Sequence, residues 1–327
     1  MLFRIFLLLL VTWPACAATE QRVEESFDLG KGAKLIVDVD FGTIDLAHGP
    51  DDKITISAYR KIEASTEAQE KEYVASSPIE VIREGDTIVV RARHERRGSR
   101  WDWSGHVKTE ARYVIRAPGE LSSDLQTGGG AITAAETSGS CKAETGGGDL
   151  KFSRLRGPLK ATSGGGHIVL EACDGALNVS TNGGKISTLS GSGTLNASTS
   201  GGSIVVRNFS GDTTVETGGG AINLENIRGK LVSETAGGSI SATVPAPFAG
   251  DVQLETSAGK IEVTIPPDAR LNLSAETSEG NVTSELPVTA ERAGRDGLQG
   301  TINGGGKALT LRTGAGNIVI RSTNSSR

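Results

Sequence analysis

Apolar residues recur at a fixed spacing through the middle of the chain. The phrase Thr-x-Gly-Gly-x-aliphatic, with Ser once in place of Thr, returns so that each step between its aliphatic residues is 18 residues long. These anchor residues are Ile132, Leu150, Ile168, Ile186, Ile204, Ile222 and Ile240. Six equal steps are not expected by chance, and they predict a repeat architecture.

Apolar and polar positions alternate within each repeat. The positions two, five, nine and eleven residues after the anchor are mostly apolar. The position seven residues after it is always glycine: Gly139, Gly157, Gly175, Gly193, Gly211 and Gly229. This alternation predicts two short strands per repeat, each with one buried face. A single coil cannot bury that face alone, so successive coils must stack in register.

The pattern therefore predicts an all-β fold, a single-stranded parallel β-helix (a solenoid) with 18-residue coils. We expect right-handed winding, because parallel crossovers favour it and because the six-residue sub-period of left-handed hexapeptide helices is absent. The paired glycines before each anchor fit a corner that needs positive φ or close backbone approach. After Ile240 the steps lengthen to 21 residues, at Ile261 and Val282, and the phrase returns at Ile318. We read these as further coils in chain order.

The first residues have the features of a secretory signal peptide. Arg4 precedes a short apolar run, and Ala15-Cys16-Ala17 matches a cleavage site. The run is too short to cross a bilayer, and we expect no transmembrane segment elsewhere. Cleavage near Ala17 predicts a periplasmic, extracellular or cell-surface protein. A lipoprotein acylated at Cys16 is the rival, but Trp13-Pro14-Ala15 lacks the aliphatic residue of a lipobox.

The chain outside the regular repeats is predicted to cap the solenoid. Strand-like runs occur before the repeats, and Thr66 with Gln69 forms a capping box for a short helix from Ser65 to Ala75. The predicted organisation is a signal peptide at 1–17, a β-rich cap with the first coils at 18–117, solenoid repeats at 118–321 with an insertion near 287–305, and a flexible tail at 322–327.

A phrase near the start of the mature chain echoes the repeat. Leu-x-Val-x-x-x-x-Gly-x-Ile-x-Leu runs from Leu35 to Leu46. Together with the signal peptide and the Thr-x-Gly-Gly-x-Ile coils, it resembles the bacterial "putative adhesin" family of β-strand repeat domains of unknown function. The resemblance covers the chain from about Phe27 to Arg321. It implies a β-repeat architecture, and it implies no catalytic residue, cofactor or ligand.

Acidic residues precede the hydroxyl of the repeat phrase in its later copies. These are Glu216, Glu234, Glu255 and Glu276. Stacked coils would place them about 5 Å apart, as a possible acidic ladder. The ladder either spreads its side chains into solvent or forms a stripe for a divalent cation or cationic ligand. We predict no metal site, because the four histidines lack metal-ligand spacing and Gly146 to Asp149 does not match the calcium-binding nonapeptide.

Two cysteines fall within the repeats, in columns filled mostly by Leu, Thr, Ile and Phe. Cys141 and Cys173 are 32 residues apart (173 − 141), which is about 1.8 coils and about 8 Å of rise. A disulfide needs Cα atoms within about 7 Å. We therefore predict that both are buried and that no disulfide joins them.

Arginines and tryptophans crowd together in one run, between two strand-like segments. The tryptophans either fold back over a solenoid end, or they join the arginines in a recognition site for a protein or an anionic glycan. The candidate binding residues are Arg96, Arg97, Arg100, Trp101 and Trp103.

Charge and motifs limit the functions that we consider. A net charge of −5 gives no support to nucleic-acid binding. The sequence has no Gly-x-Ser-x-Gly elbow and no phosphate loop, so we expect no enzyme activity and no cofactor. We predict an exported, non-catalytic solenoid that presents a repetitive surface for adhesion or for binding an envelope protein or glycan.

The alternative function is a polysaccharide-acting β-helix enzyme, a lyase or a hydrolase. A deep groove with clustered carboxylates would favour the enzyme, because glycoside chemistry uses paired carboxylates. A flat face of Ser, Thr and Asn side chains would favour the binding protein. The outward columns predict such a face: Glu144, Thr162, Ser180 and Ser198 beside Lys142, Lys160, Asn178 and Asn196.

Overall fold

The computed structural model describes residues 18–30, 32–94 and 107–323. The predicted signal peptide, with Cys16, lies outside these residues. The chain divides into two compact units, residues 1–148 and 149–327. The predicted domain boundary near residue 117 stays a prediction.

The described part of the first unit holds ten strands and one helix. They are β1 (Thr19–Asp28), β2 (Ala33–Val39), β3 (Thr43–His48), β4 (Lys53–Glu63), α1 (Glu67–Ser76), β5 (Glu80–Glu84), β6 (Thr87–Ala92), β7 (Lys108–Ala117), β8 (Leu121–Thr127), β9 (Ile132–Ala135) and β10 (Cys141–Thr145).

The echo of the repeat near the start of the chain is a true coil. In the parallel pairing of β2 with β8, Leu35 lies beside Ser123. In the parallel pairing of β3 with β9, Ile44 lies beside the first repeat anchor, Ile132. These partners are 88 residues apart in the chain (132 − 44). The intervening segment is therefore inserted between two adjacent coils.

The inserted segment first adds two parallel strands to this coil, opposite β8 and β9, and antiparallel strands then pair with these two. Strand β7 is parallel to β3, whereas β4 is antiparallel to both β7 and β1. Strand β6 is parallel to β2, and β5 is antiparallel to β6. Antiparallel strands supply backbone partners where no further coil exists, which is the capping arrangement predicted from the sequence.

The predicted helix is confirmed as α1. Its N-cap is Thr66, whose side chain accepts a hydrogen bond of 3.3 Å from the Gln69 amide. Below it lies the fully buried Arg60, which donates to the carbonyl oxygen of Ser77 and to Oε1 of Gln21, each at 2.6 Å. Burial lowers the pKa of Arg60. The helix is thus joined to the sheet by polar contacts as well as by packing.

The described part of the second unit holds eighteen strands. They are β11 (Leu150–Ser153), β12 (Leu159–Ser163), β13 (Ile168–Glu171), β14 (Cys173–Thr181), β15 (Ile186–Thr188), β16 (Gly191–Thr199), β17 (Ile204–Thr217), β18 (Ile222–Arg228), β19 (Leu231–Thr235), β20 (Ile240–Thr243), β21 (Val252–Ala258), β22 (Ile261–Ile265), β23 (Leu271–Glu279), β24 (Val282–Ser284), β25 (Thr289–Ala293), β26 (Gly297–Ile302), β27 (Lys307–Ala315) and β28 (Ile318–Ser322).

Parallel stacking dominates this unit up to β20. Ile168 pairs with Ile186, Ile186 with Ile204, and Ile204 with Ile222, so that residues 18 apart are neighbours. All of these anchors are fully buried, and Phe152 lies with them in the core. Stacked anchors remove apolar surface from water along the whole row. The predicted solenoid is confirmed, and the hand of its winding stays a prediction.

The repeat phrase has a specific hydrogen-bonding role at the corner of each coil. The hydroxyl of Thr217 donates to the carbonyl oxygen of Gly202 in the preceding coil at 2.8 Å, and it accepts from the amide of Gly220 in its own corner at 3.2 Å. The same pair of bonds recurs at Thr199 and Thr235. Each hydroxyl therefore joins two coils and satisfies backbone groups that the corner leaves outside the strand ladders.

Only the second glycine of each corner pair is required. A Cβ added to Gly202 would lie 1.9 Å from the carbonyl oxygen of Gly184, whereas a Cβ on Gly201 meets its nearest atom at 4.0 Å. Neither has a left-handed φ, so close backbone approach is the reason for glycine at this position. Of the two reasons that the sequence indicates for the paired glycines, close backbone approach applies at Gly202 and positive φ does not. In the same coil, Gly193 has that φ, at 112°.

The last coil does not follow chain order. Strand β27 lies between β21 and β23, and β28 lies between β22 and β24. Ile261 thus pairs with Ile318 rather than with Val282. The expectation that the 21-residue steps continue the stack in sequence is therefore wrong after Ile261.

The predicted insertion near residues 287–305 forms the antiparallel hairpin of β25 and β26. Strand β26 also pairs antiparallel with β23. The hairpin covers β23 on the side away from β27, so antiparallel strands again supply the partners at the end of a parallel stack.

Candidate binding groove

The residues that precede the buried hydroxyls point away from the core. In β19 the side chains of Leu231, Ser233 and Thr235 are buried, while Glu234 is exposed. This follows from the two-residue period of a strand. We call the aligned outward residues the outer corner column. In order along the stack, they are Ser180, Ser198, Glu216, Glu234, Glu255 and Arg312.

A groove runs along the outer corner column. Its volume is about 810 Å³, and all residues of the column line it. Polar and small residues of the adjacent corners, among them Asn182, Ser200 and Ser257, form part of the lining. Because its walls belong to stacked strands and corners, the groove presents one outward polar side chain at each step of about 4.8 Å, first hydroxyls and then carboxylates.

The carboxylates in the groove differ in whether a basic side chain pairs with them. Glu255 accepts hydrogen bonds from Arg312 at 3.3 Å and from Gln253 at 3.1 Å. Glu216 and Glu234 are direct neighbours in the strand register. No lysine, arginine or histidine within the described residues forms an ion pair with either of them. The groove therefore contains two adjacent carboxylates without a basic partner, followed by one carboxylate with such a partner.

The interleaved last coil changes the predicted acidic ladder. Arg312 lies between Glu255 and Glu276 in the strand register. Glu276 is exposed and is absent from the groove lining. The expectation that four carboxylates follow one another on successive coils is wrong at this last step. A basic residue in the row lowers the repulsion between its acidic neighbours.

Several other predicted residues have different surroundings. Arg96, Arg97, Arg100, Trp101 and Trp103 lie outside the described residues, so their role stays a prediction.

In the outward column beside the groove, the side-chain amide of Asn196 donates to Oδ1 of Asn178 at 2.9 Å. This column is a polar ladder, as the sequence predicts. Ser180 and Ser198 of the predicted flat face instead line the groove, so the expectation of a flat face is wrong there.

Both repeat cysteines are buried. Burial raises the pKa of the Cys173 thiol. Its sulfur lies 3.6 Å from the carbonyl oxygens of Phe152 and Glu171. The predicted burial is confirmed. The predicted lack of a disulfide stays a prediction.

Some groove residues that the sequence did not identify come from the C-terminal segments. They include Arg312, Ser257 and Ser278. The phrase Thr313-Gly314 marked a coil in this segment, but its position in the stack could not be read from its spacing.

The described part of the chain contains neither a cluster of metal ligands nor a membrane-spanning helix. No cluster of three or more His, Cys, Asp or Glu side chains within residues 18–30, 32–94 and 107–323 is placed to hold a metal ion. No helix in the same ranges is long and apolar enough to cross a membrane.

A family model matches the part of the chain that contains most of this groove. The matched residues are 193–321, and the family is Toastrack DUF4097. Over these residues the chain is similar to that family. The matched segment contains the acidic part of the groove and the interleaved last coil, whereas Ser180 and the coils before residue 193 precede it. No curated protein matches the chain.

Several solved structures of bacterial proteins match the chain. A putative cell adhesion protein from Clostridium sporogenes is 12% identical, with 93% of this chain and 100% of that chain covered, at a TM-score of 0.23. A putative adhesin from Bacteroides fragilis is 12% identical, with 92% and 97% covered, at 0.33. A putative adhesin from Parabacteroides distasonis is 8% identical, with 93% and 97% covered, at 0.29. Similarities of this size carry no information on activity.

Proposed function

We propose that this protein is exported and that it binds an extended polar partner of the cell envelope or of another surface along the groove, without catalysing a reaction. The observation that carries the proposal is the groove itself, which has a volume of about 810 Å³ and follows the stack of coils. The predicted signal peptide supports export, and the Toastrack match is compatible with a binding role.

The lining favours a partner with many hydrogen-bonding groups. Hydroxyl groups of Ser180 and Ser198 continue into the carboxylates of Glu216 and Glu234. Such a row offers acceptors and donors at regular spacing, which suits a glycan chain or an extended peptide better than a compact apolar ligand. Because the backbone of each corner is held by threonine hydrogen bonds, the row is ordered before the partner binds, which lowers the entropy cost of binding.

The test is a binding assay with the mature protein and a panel of envelope glycans and envelope extracts. Replacing Glu216→Arg and Glu234→Arg together should weaken binding at least about tenfold, since it reverses the charge at the centre of the groove. Glu171→Arg is the matched control, because Glu171 is exposed on a strand of the same unit and is absent from the groove lining. Equal binding by the control and the double variant would contradict the groove as the binding site.

The second candidate function is a polysaccharide-acting enzyme, favoured by the clustering of carboxylates in one groove. The geometry gives it limited support. Glu216, Glu234 and Glu255 occupy equivalent positions in successive coils and so lie in one row, whereas glycoside hydrolysis needs two carboxylates on either side of the scissile bond. Release of reducing ends or unsaturated products from any polysaccharide, lost in Glu234→Gln, would establish catalysis and overturn the proposed non-catalytic function.

A further inference from the structure

Helix α1 carries a buried carboxylate against the first described strand. Glu70 is only 5% exposed. Its Oε2 accepts hydrogen bonds from the amide of Thr19 at 3.0 Å and from the Thr19 hydroxyl at 2.7 Å. Its Oε1 accepts from the amide of Ala64 at 3.0 Å. The side chain thus joins the helix to the beginning of β1.

This carboxylate has hydrogen-bond donors but no cationic partner within the described residues. Buried carboxylates are rare unless they are paired, because removing the charge from water is costly. The nearby buried cation, Arg60, donates to Ser77 and Gln21 instead. Lys71 of the same helix pairs with Glu67 at 2.7 Å. Neither of these cations is paired with Glu70.

The chain itself supplies a positive charge near Glu70 if its leader is cleaved where the sequence predicts. Cleavage after Ala17 turns the backbone nitrogen of Ala18 into an ammonium group. Successive backbone nitrogens are at most about 3.6 Å apart. With the Thr19 nitrogen 3.0 Å from Oε2 of Glu70, the ammonium of Ala18 would lie within about 6.6 Å of that oxygen. Cleavage after Ala18 would place the ammonium on Thr19 itself.

We propose that α1 is the docking site for the chain's own processed amino terminus, with Glu70 as its counter-charge. Removal of the leader creates the ammonium group and completes the electrostatic pairing that fixes α1 and β1 to each other. An uncleaved leader or an acylated Cys16 leaves Glu70 without that charge. This inference rests on the predicted signal peptide and is independent of the groove.

The first experiment determines where the exported protein begins. The full chain is expressed with its own leader, and the intact mass and amino-terminal sequence of the mature protein are measured. We expect a free amine at Ala18 or Thr19. A start at another residue, or a lipid on Cys16, would overturn the proposal.

The second experiment measures the coupling itself. Protein starting at Ala18 is prepared with a free and with an acetylated amino terminus, each with Glu70 and with Glu70→Gln, and urea unfolding is followed. We expect acetylation to lower the folding equilibrium constant roughly fivefold in the Glu70 protein and to have no effect in Glu70→Gln. Equal effects of acetylation in both backgrounds would refute the pairing. Glu67→Gln is the matched control on the exposed face of the same helix, and the effect of acetylation should persist in it.

Discussion

The regular coils of the second unit and the terminal segments of the two units are stabilised in different ways. Between residues 149 and 243, the described polar side chains that are buried are hydroxyls, without a buried charge. The capping segment of the first unit instead buries Arg60 and Glu70. The far end of the second unit departs from chain order, because β27 and β28 insert between earlier strands.

The difference follows from the kind of segment on which each region packs. A coil in the middle meets an almost identical coil on both sides, so uncharged hydroxyls and backbone groups satisfy one another at every step. A terminal segment meets a surface that the repeat does not match. It uses antiparallel strands and a helix there, and these features are absent from the 18-residue pattern.

The largest expected loss of stability comes from disturbing the close approach between corners of the regular coils. Gly202→Ala should destabilise the protein by about 3 kcal/mol or more, because the new Cβ would lie 1.9 Å from the carbonyl oxygen of Gly184. Gly201→Ala, whose Cβ has its nearest neighbour at 4.0 Å, should change the free energy of unfolding by less than about 0.5 kcal/mol. Urea denaturation measures both. Similar losses in the two variants would show that coil contact does not explain the glycine.

The next largest effect is on the pH dependence of stability, through Tyr113 of the capping segment. Burial raises the pKa of Tyr113 to about 12, although the nearby Arg60 lowers it. The folded state therefore holds the phenol proton more tightly than the unfolded chain, whose tyrosine pKa is about 10. This contribution is fully present below pH 10 or so, and up to about 2.7 kcal/mol of it is lost as the pH rises towards 12. Tyr113→Phe should therefore make the free energy of unfolding less dependent on pH between about pH 10 and pH 12. An unchanged alkaline slope in the variant would contradict the assignment.

A smaller effect separates a hydroxyl that joins coils from one that does not. Thr217→Val should cost about 1–3 kcal/mol, because the Gly202 carbonyl and the Gly220 amide lose their partner. Thr188 is fully buried, and its hydroxyl has no hydrogen-bond partner within the described residues. Thr188→Val should therefore be neutral or stabilising. If both variants lose the same amount, the corner hydrogen bonds contribute nothing specific.

The smallest energetic effect tests the order of the last coils. Arg312→Glu should reduce stability by at most about 1 kcal/mol, and more at low salt than at high salt, because it places a carboxylate beside the partly exposed Glu255. A structural readout sharpens this. A cysteine pair at positions 255 and 312 should form a disulfide, while a pair at 255 and 276 should not. A disulfide between positions 255 and 276, with none between 255 and 312, would show that the last coils follow chain order.

Much of the fold was accessible from the sequence because neighbours in the stack repeat the same pattern. The anchors such as Ile168 and Ile186, the helix capped by Thr66, and the early coil containing Ile44 were all predicted. The candidate groove was accessible only in part. Glu216 and Glu234 were identified as neighbours, because the coils between them are regular. Arg312 was missed, because its partner Glu255 is 57 residues away (312 − 255).

The sequence by itself determined that the chain forms stacked coils and which residues face the core, because a two-residue side-chain period and a constant repeat length admit one register. Only the tertiary structure decided the order of the last coils and the position of Arg312 in the acidic row. The edge of a parallel coil offers the same backbone donors and acceptors to any strand of suitable length, so local pattern cannot specify which segment pairs there. Packing of the terminal hairpin and the last coil makes that choice.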